Sequence, residues 1–160
     1  MRGFEDWLYL LKLEQFWGTE AAGILAFAKK DKEFLISLRS PHVNEPNTYG
    51  IIGGKLDGSE TPIAGAKREF LEETGYHGQM QLSVLKEFHA TNFTYTNFLG
   101  IIPMKFNPSP DENSRWETSG FNWVSLDQLI QTEPKHFGLQ YLLHDSAILE
   151  KLRNLTTTEI

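Results

Sequence analysis

Three glutamates, Glu69, Glu72 and Glu73, stand at i, i+3 and i+4. On a helix of 3.6 residues per turn, that spacing gathers their carboxylates on one face within a single turn. Like charges so placed repel by only about 0.2–0.5 kcal/mol when solvated, so an acidic surface face is one reading. A hard divalent cation is the other, and it gives the cluster a purpose. Mg²⁺ takes oxygen ligands and shares its shell with substrate phosphates and water. Arg68 lies beside Glu69 and one turn before Glu72, within reach to hold a carboxylate in one orientation. Glu60 sits just ahead of the helix and can turn back toward the acids. Gly53, Gly54 and Gly58 permit a tight strand-to-helix connection and a close approach of backbone to metal or phosphate.

The helix that must carry these groups is well punctuated. Thr61 can cap it, Pro62 fits its first turn, and Gly75 suits the left-handed position just past Thr74. Ala66 and Phe70 lie away from the acidic face and can bury the helix against a sheet. Before it, the apolar runs Ala21 to Ala28 and Glu33 to Leu38 flank a charged Lys29-Lys30-Asp31-Lys32 tip and predict a hairpin. Residues 40–48 read as a loop, and Tyr49 to Ile52 as an extended segment running into Gly53-Gly54.

After the helix, Gln81 to Phe88, Phe93 to Ile102 and Phe121 to Val124 read as strands, with a polar loop over 107–114. Ser125 and Gln128 form a capping box for a helix from Leu126 to about Gln131. A last helix is expected from Pro134 to about Leu155, with Phe137, Tyr141, Ile148 and Leu152 inward. An apolar rhythm at Phe4, Trp7, Leu8, Leu11 and Phe16 predicts a helical extension over residues 1–18. That extension is either a packing or homodimer-contact element or a lid stacking on a base.

With 160 residues, 40% of them hydrophobic, the chain has material for one core, so 1–160 is read as a single domain. A net charge of −6 disfavours binding to a nucleic-acid polymer, which draws its affinity from clustered Lys and Arg. The absence of cysteine excludes disulfides, thiolate metal sites and cysteine nucleophiles. His42, His77, His89, His136 and His144 lack zinc-site spacing. No signal-like or membrane-length apolar run is seen, so a cytoplasmic protein without membrane contact is expected.

The stretch from Gly54 through Glu60 and Arg68-Glu69-Phe70-Leu71-Glu72-Glu73-Thr74-Gly75 to Tyr76 resembles a complete Nudix box. Chance agreement at a given start is on the order of one in a billion. The resemblance implies an α/β fold: an α/β/α sandwich whose mixed sheet has the box helix on one face and a C-terminal helix on the other. It implies that Glu69, Glu72, Glu73 and the Gly53 carbonyl bind Mg²⁺ or Mn²⁺, with Glu60 and Arg68 orienting them. The implied reaction is attack of metal-activated water on a diphosphate bridge of a small nucleotide. The general base is a box acid such as Glu69, or Glu60, or a later acid: Glu117, with Asp111 and Glu112 as rivals. Arg39, Lys55 and Lys86 are candidate phosphate contacts, though cations of this kind are more often ordinary surface residues, and Tyr95 is a candidate stacking residue, though alternating aromatics more often fill a core.

Ile52 stands where many members of that family have proline. No proline lies between Pro62 and Pro103, which disfavours a dedicated ADP-ribose enzyme. Tyr95 falls near, but out of register with, a tyrosine that accompanies dinucleoside polyphosphate activity. Three functions remain open: hydrolysis of a nucleoside diphosphate derivative, pool-cleaning (d)NTP pyrophosphohydrolysis, and a non-catalytic nucleotide sensor. The intact set of acids argues against the sensor.

Overall fold

The computed structural model describes residues 20–43, 45–90 and 92–158, so the expected N-terminal helix lies outside the described residues. At the centre runs β1 (Glu20–Ala28), buried on both faces. Its Ala22, Ile24 and Ala26 point to one side and Leu25 and Phe27 to the other, the period-two alternation of a strand. It pairs in parallel with β6 (Phe93–Ile102), which pairs antiparallel with β5 (Gln81–Ala90). On its other edge β1 is shared. Its second half pairs with β2 (Glu33–Arg39), the hairpin predicted from the charged tip, and its first half with β4 (Ile52–Lys55). β2 also pairs with β3 (Tyr49–Gly50) and β7 (Thr118–Val124), completing a mixed sheet.

One face is covered by α1 (Pro62–Thr74). As expected, Thr61 accepts the Ala64 N–H, Pro62 opens the first turn, and Gly75 ends the helix at φ 75°. Phe70, at 1% exposure, meets Ala22, Ile24, Leu35 and Ile52 of the sheet and stands edge-on to Tyr76 and Phe106. Burying such a ring is worth roughly 2–3 kcal/mol.

The other face holds α2 (Leu126–Gln131), α3 (Phe137–Leu143) and α4 (Ser146–Thr157), packed on Leu25, Phe27, Phe34 and Ile36. The Ser125–Gln128 capping box is present. The single last helix expected over 134–155 is instead two. Asp145 Oδ1 accepts the N–H groups of Ala147 and Ile148, so the chain starts a second helix there. Asp145 Oδ2 also receives Lys86 Nζ, which ties the break to β5.

Gly53 and Gly54 differ from expectation in their reason. Both lie inside β4 rather than in a loop, Gly53 opposite Gly23 of β1. A Cβ on Gly53 would stand 2.4 Å from the Ala22 carbonyl oxygen, and one on Gly54 would stand 2.8 Å from Glu69 Oε1. The two glycines let the strand press against β1 while the Glu69 carboxylate lies on it. Among these three glycines, only Gly58 (φ 49°) uses the left-handed region.

Candidate active site

The acidic face of α1 opens onto a pocket of about 430 Å³ lined by Glu69, Glu72, Glu73, Gly53, Gly54 and Lys55. Ser37 and Arg39 of β2 enter the same pocket, as i, i+2 neighbours on one face of a strand must. The register between β2 and β7 shifts between Leu38 and Arg39, where the strand delivers the guanidinium to the site. Glu117 closes another wall.

Nothing in sequence spacing announces how Glu117 reaches a helix so far back in the chain. The last carbonyls of a helix lack internal partners. Here the loop after β6 supplies them: Ser109 N–H donates to Thr74 O at 2.8 Å and Asp111 N–H to Glu72 O at 2.9 Å. Asp111 Oδ1 then accepts the Ser114 N–H, starting the short 3-10 turn Arg115–Glu117. Ser40 fastens the far side, its N–H donating to Glu117 O at 3.0 Å and its hydroxyl to Trp116 O at 2.6 Å. Of the three later acids named as candidate bases, Glu117 lines the pocket and Asp111 and Glu112 do not.

Arg68 is the hub beneath the acids. Its Nε donates to Glu60 Oε2 at 2.7 Å, Nη2 to Glu60 Oε1 at 3.1 Å, and Nη1 to Glu69 Oε1 and Glu72 Oε2, both at 3.2 Å. Nη2 also reaches the Lys55 carbonyl. The Arg68 hydrogen bond, with a further one from the Asp57 N–H, holds the Glu60 carboxyl below its ordinary pKa. Glu60 does not line the pocket, and both oxygens of its carboxylate accept hydrogen bonds from Arg68.

The pocket acids go the opposite way. Burial, opposed by Arg68 and reinforced by Glu72, pushes Glu69 up to about 7. Glu73 is raised well above the ordinary value, first by burial and then by the charges of Glu69 and Glu117. Glu117 is raised too, by burial, with Arg39 opposing. Arg39 itself is drawn down by burial and held up by Glu73, Glu45 and Glu117.

This electrostatic frustration is the test of whether a cation fits. Glu73 Oε2 is buried with no hydrogen-bond partner, an arrangement that costs about 1–3 kcal/mol or more for a charged group. The donor set is all oxygen, which suits a hard ion such as Mg²⁺. Among the described residues no group of three or more acids or histidines is arranged to hold a metal ion by itself.

A pH dependence follows. An acid whose pKa is raised on folding favours the fold below its unfolded value, near 4.5, and that advantage is lost as pH climbs through the folded value, about 7 for Glu69. Without divalent ions the cluster should therefore weaken the fold at pH 8. Mg²⁺ or Mn²⁺ should raise the Tm by several degrees at pH 8 and by much less at pH 5, as calorimetry can read. Equal shifts at both pH values would place the ion elsewhere.

Other expected residues fall differently. Lys55 lines the pocket, but Lys86 is paired with Asp145 and lies over the rings of Phe88 and Tyr141. Tyr95, expected at the substrate surface, is 2% exposed and packs with Ala21, Phe88, Phe93 and Phe137. Burial, then the Glu73 charge, raises its pKa. It sits beneath the site, because alternation along β6 turns it inward. Ser37, His42, Val43 and Trp116 line the pocket and were not singled out for it from sequence. They come from separate loops and strands, and no local period marks them.

A model of the NUDIX domain matches residues 18–145. Among solved structures, the Nudix hydrolase RenU from M. smegmatis is 25% identical with a TM-score of 0.67, covering 91% of each chain. The MutT protein from Methanosarcina mazei Go1 is 20% identical with a TM-score of 0.59, covering 88% of this chain and 96% of that one. A C. elegans Ap4A hydrolase is 19% identical with a TM-score of 0.60, covering 84% and 96%. A comparison with curated proteins returns no match. No helix among the described residues is long and apolar enough to cross a membrane. The acid-bearing helix, the sheet that seats it and the reach of the family match agree: the chain belongs to the Nudix family, hydrolases of nucleoside diphosphate derivatives.

Proposed function

We propose that this protein is a Mg²⁺-dependent pyrophosphohydrolase that cleaves the diphosphate bridge of a nucleoside diphosphate linked to a second group, such as a sugar or another nucleotide. The observation that carries this reading is the buried, unpartnered Glu73 oxygen beside Glu69, Glu72 and Glu117, in a pocket that also holds Arg39 and Lys55. Glu69, Glu72 and Glu73, with the Gly53 carbonyl, would hold the ion; Mn²⁺ would serve as well. When bound, such an ion neutralises charge on the phosphate oxygens and lowers the pKa of nearby water.

The chain's own groups do the rest. Arg39 and Lys55 bind phosphate oxygens and orient the bridge. Arg68, fixed by Glu60, keeps Glu69 and Glu72 from turning away. Glu117 accepts the proton of the attacking water. Its raised pKa makes it a stronger base than a solvated carboxylate. Water adds to one phosphorus, the bridging P–O bond breaks, and the bridging oxygen leaves with the other phosphate, giving two phosphate monoesters.

The test is turnover by the purified protein with Mg²⁺ on ADP-ribose, dinucleoside polyphosphates, nucleotide sugars, NADH and (d)NTPs, following phosphate released by a coupled phosphatase. Phosphatase-sensitive monoesters are expected from at least one bridged substrate. Turnover confined to (d)NTPs, with pyrophosphate as product, would move the protein to the pool-cleaning class. No metal-dependent turnover on any of them sinks the reading. In the same assay Glu117→Gln should lose about 10²–10⁴-fold in kcat if Glu117 is the base.

A further inference from the structure

Trp116 is 56% exposed and lines the pocket. Among the described residues Trp116 makes no ring–ring contact, whereas Trp123 donates its indole N–H to Phe106 O at 3.0 Å and stands edge-on to the Phe106 ring at 5.6 Å. Of the two tryptophans among the described residues, Trp123 serves the core and Trp116 faces solvent.

The backbone beneath the free ring is nonetheless firmly held. Ser40, 4% exposed, donates its hydroxyl to Trp116 O at 2.6 Å and its N–H to Glu117 O, while Ser40 Oγ accepts the His42 N–H at 3.2 Å. A single buried serine thus fastens Trp116, Glu117 and His42 into one wall. The pocket lining is mixed in character: the acids, Arg39 and Lys55 share it with the rings of Trp116 and His42 and with Val43. A ligand matching that lining carries both a phosphate chain and a flat apolar face.

We infer that Trp116 is the stacking platform for the substrate's nucleobase, which selects nucleoside diphosphates over other diphosphates without reading the base edge. This rests on the preceding assignment of the pocket as a diphosphate site. An indole face attracts any base, and a purine presents more surface than a pyrimidine. Stacking uses the face of a base and not its edge, so binding through Trp116 is base-tolerant, with a modest preference for purines.

The test is equilibrium binding by calorimetry in Mg²⁺, using α,β-methylene-ADP, α,β-methylene-UDP and the base-free methylenediphosphonate. Trp116→Ala should weaken the ADP analogue on the order of tenfold and Trp116→Phe by under about threefold, with methylenediphosphonate changed by less than about twofold. The UDP analogue should bind wild type more weakly than the ADP analogue and lose less on substitution. Equal affinity of Trp116→Ala and wild type for the ADP analogue overturns the inference, as does equal weakening of all three ligands. Failure of the wild type to bind the analogue overturns it too. Sedimentation is run in parallel: a dimer lost in Trp116→Ala with analogue affinity unchanged assigns the indole to a chain–chain contact instead. Trp116-dependent binding without turnover of any bridged substrate would leave the platform standing and remove the proposed reaction. Turnover indifferent to Trp116 would do the reverse.

Discussion

Glu73→Gln is expected to lower kcat by about 10²–10³-fold while raising the Tm of the metal-free protein at pH 8. The two effects share one cause. The Glu73 side chain is buried, its Oε2 has no hydrogen-bond partner, and burial with the Glu69 and Glu117 charges pushes its pKa well up. A raised acid contributes most to stability below its unfolded pKa and progressively less as pH rises, so at pH 8 the wild type has lost stability that it holds near pH 4. Glutamine keeps the shape and carries no charge. Near pH 4, where the wild-type acid is protonated, the two proteins should melt together. Calorimetry in chelator at both pH values, with kcat measured in Mg²⁺, checks the pair. A kcat within about threefold of wild type is too small a loss for a metal ligand and sinks that assignment. A lower Tm at pH 8 would mean the Glu73 charge is already compensated in the fold.

Removing Arg68 should be the most damaging change outside the pocket lining. Its guanidinium holds Glu60, Glu69 and Glu72 by hydrogen bonds and lies 3.4 Å from Asp57. Its own pKa is raised, first by the hydrogen bond to Glu60. Arg68→Ala leaves these acids facing one another. A fully buried pair broken on one side costs about 3–5 kcal/mol. With the Arg68 side chain 26% exposed, solvent screens part of this, and about 2 kcal/mol is expected. Activity should fall about 10–100-fold, the usual cost of losing a partner that orients a ligand. Arg68→Lys keeps the charge but lacks the planar fork needed to grip Glu60 with two nitrogens and Glu69 and Glu72 with a third. It should recover most of the stability and little of the rate. Urea unfolding and kcat on the same preparations decide this. An Arg68→Ala enzyme with wild-type kcat would show that Glu69 and Glu72 hold their orientation unaided.

The contrast between α1 and the site's other walls shows how far sequence carries. Thr61, Pro62, Gly75 and the acidic face of α1 were legible because helix geometry is local: capping bonds and carboxylate convergence depend on neighbours within a turn. The β1–β2 hairpin and the Ser125–Gln128 cap were legible for the same reason. The break at Asp145 was missed because the apolar rhythm through Ile148 and Leu152 continues across it. What fixes the break is a cap and a partner, Lys86, on a distant strand.

By itself, then, the sequence determined the helix α1 and the convergence of Glu69, Glu72 and Glu73 on one of its faces with Arg68 beside them, because that spacing is set by helix geometry alone. Only the tertiary structure decided which groups share the pocket. It sent Glu60 to Arg68, turned Tyr95 under the sheet and took Lys86 to Asp145. It brought Glu117, and not Asp111 or Glu112, to the pocket lining by docking a loop onto the last carbonyls of α1, and it held Trp116 on the same wall through Ser40. Those choices depend on unpaired backbone groups finding partners across long stretches of chain, and spacing along the sequence carries no record of them.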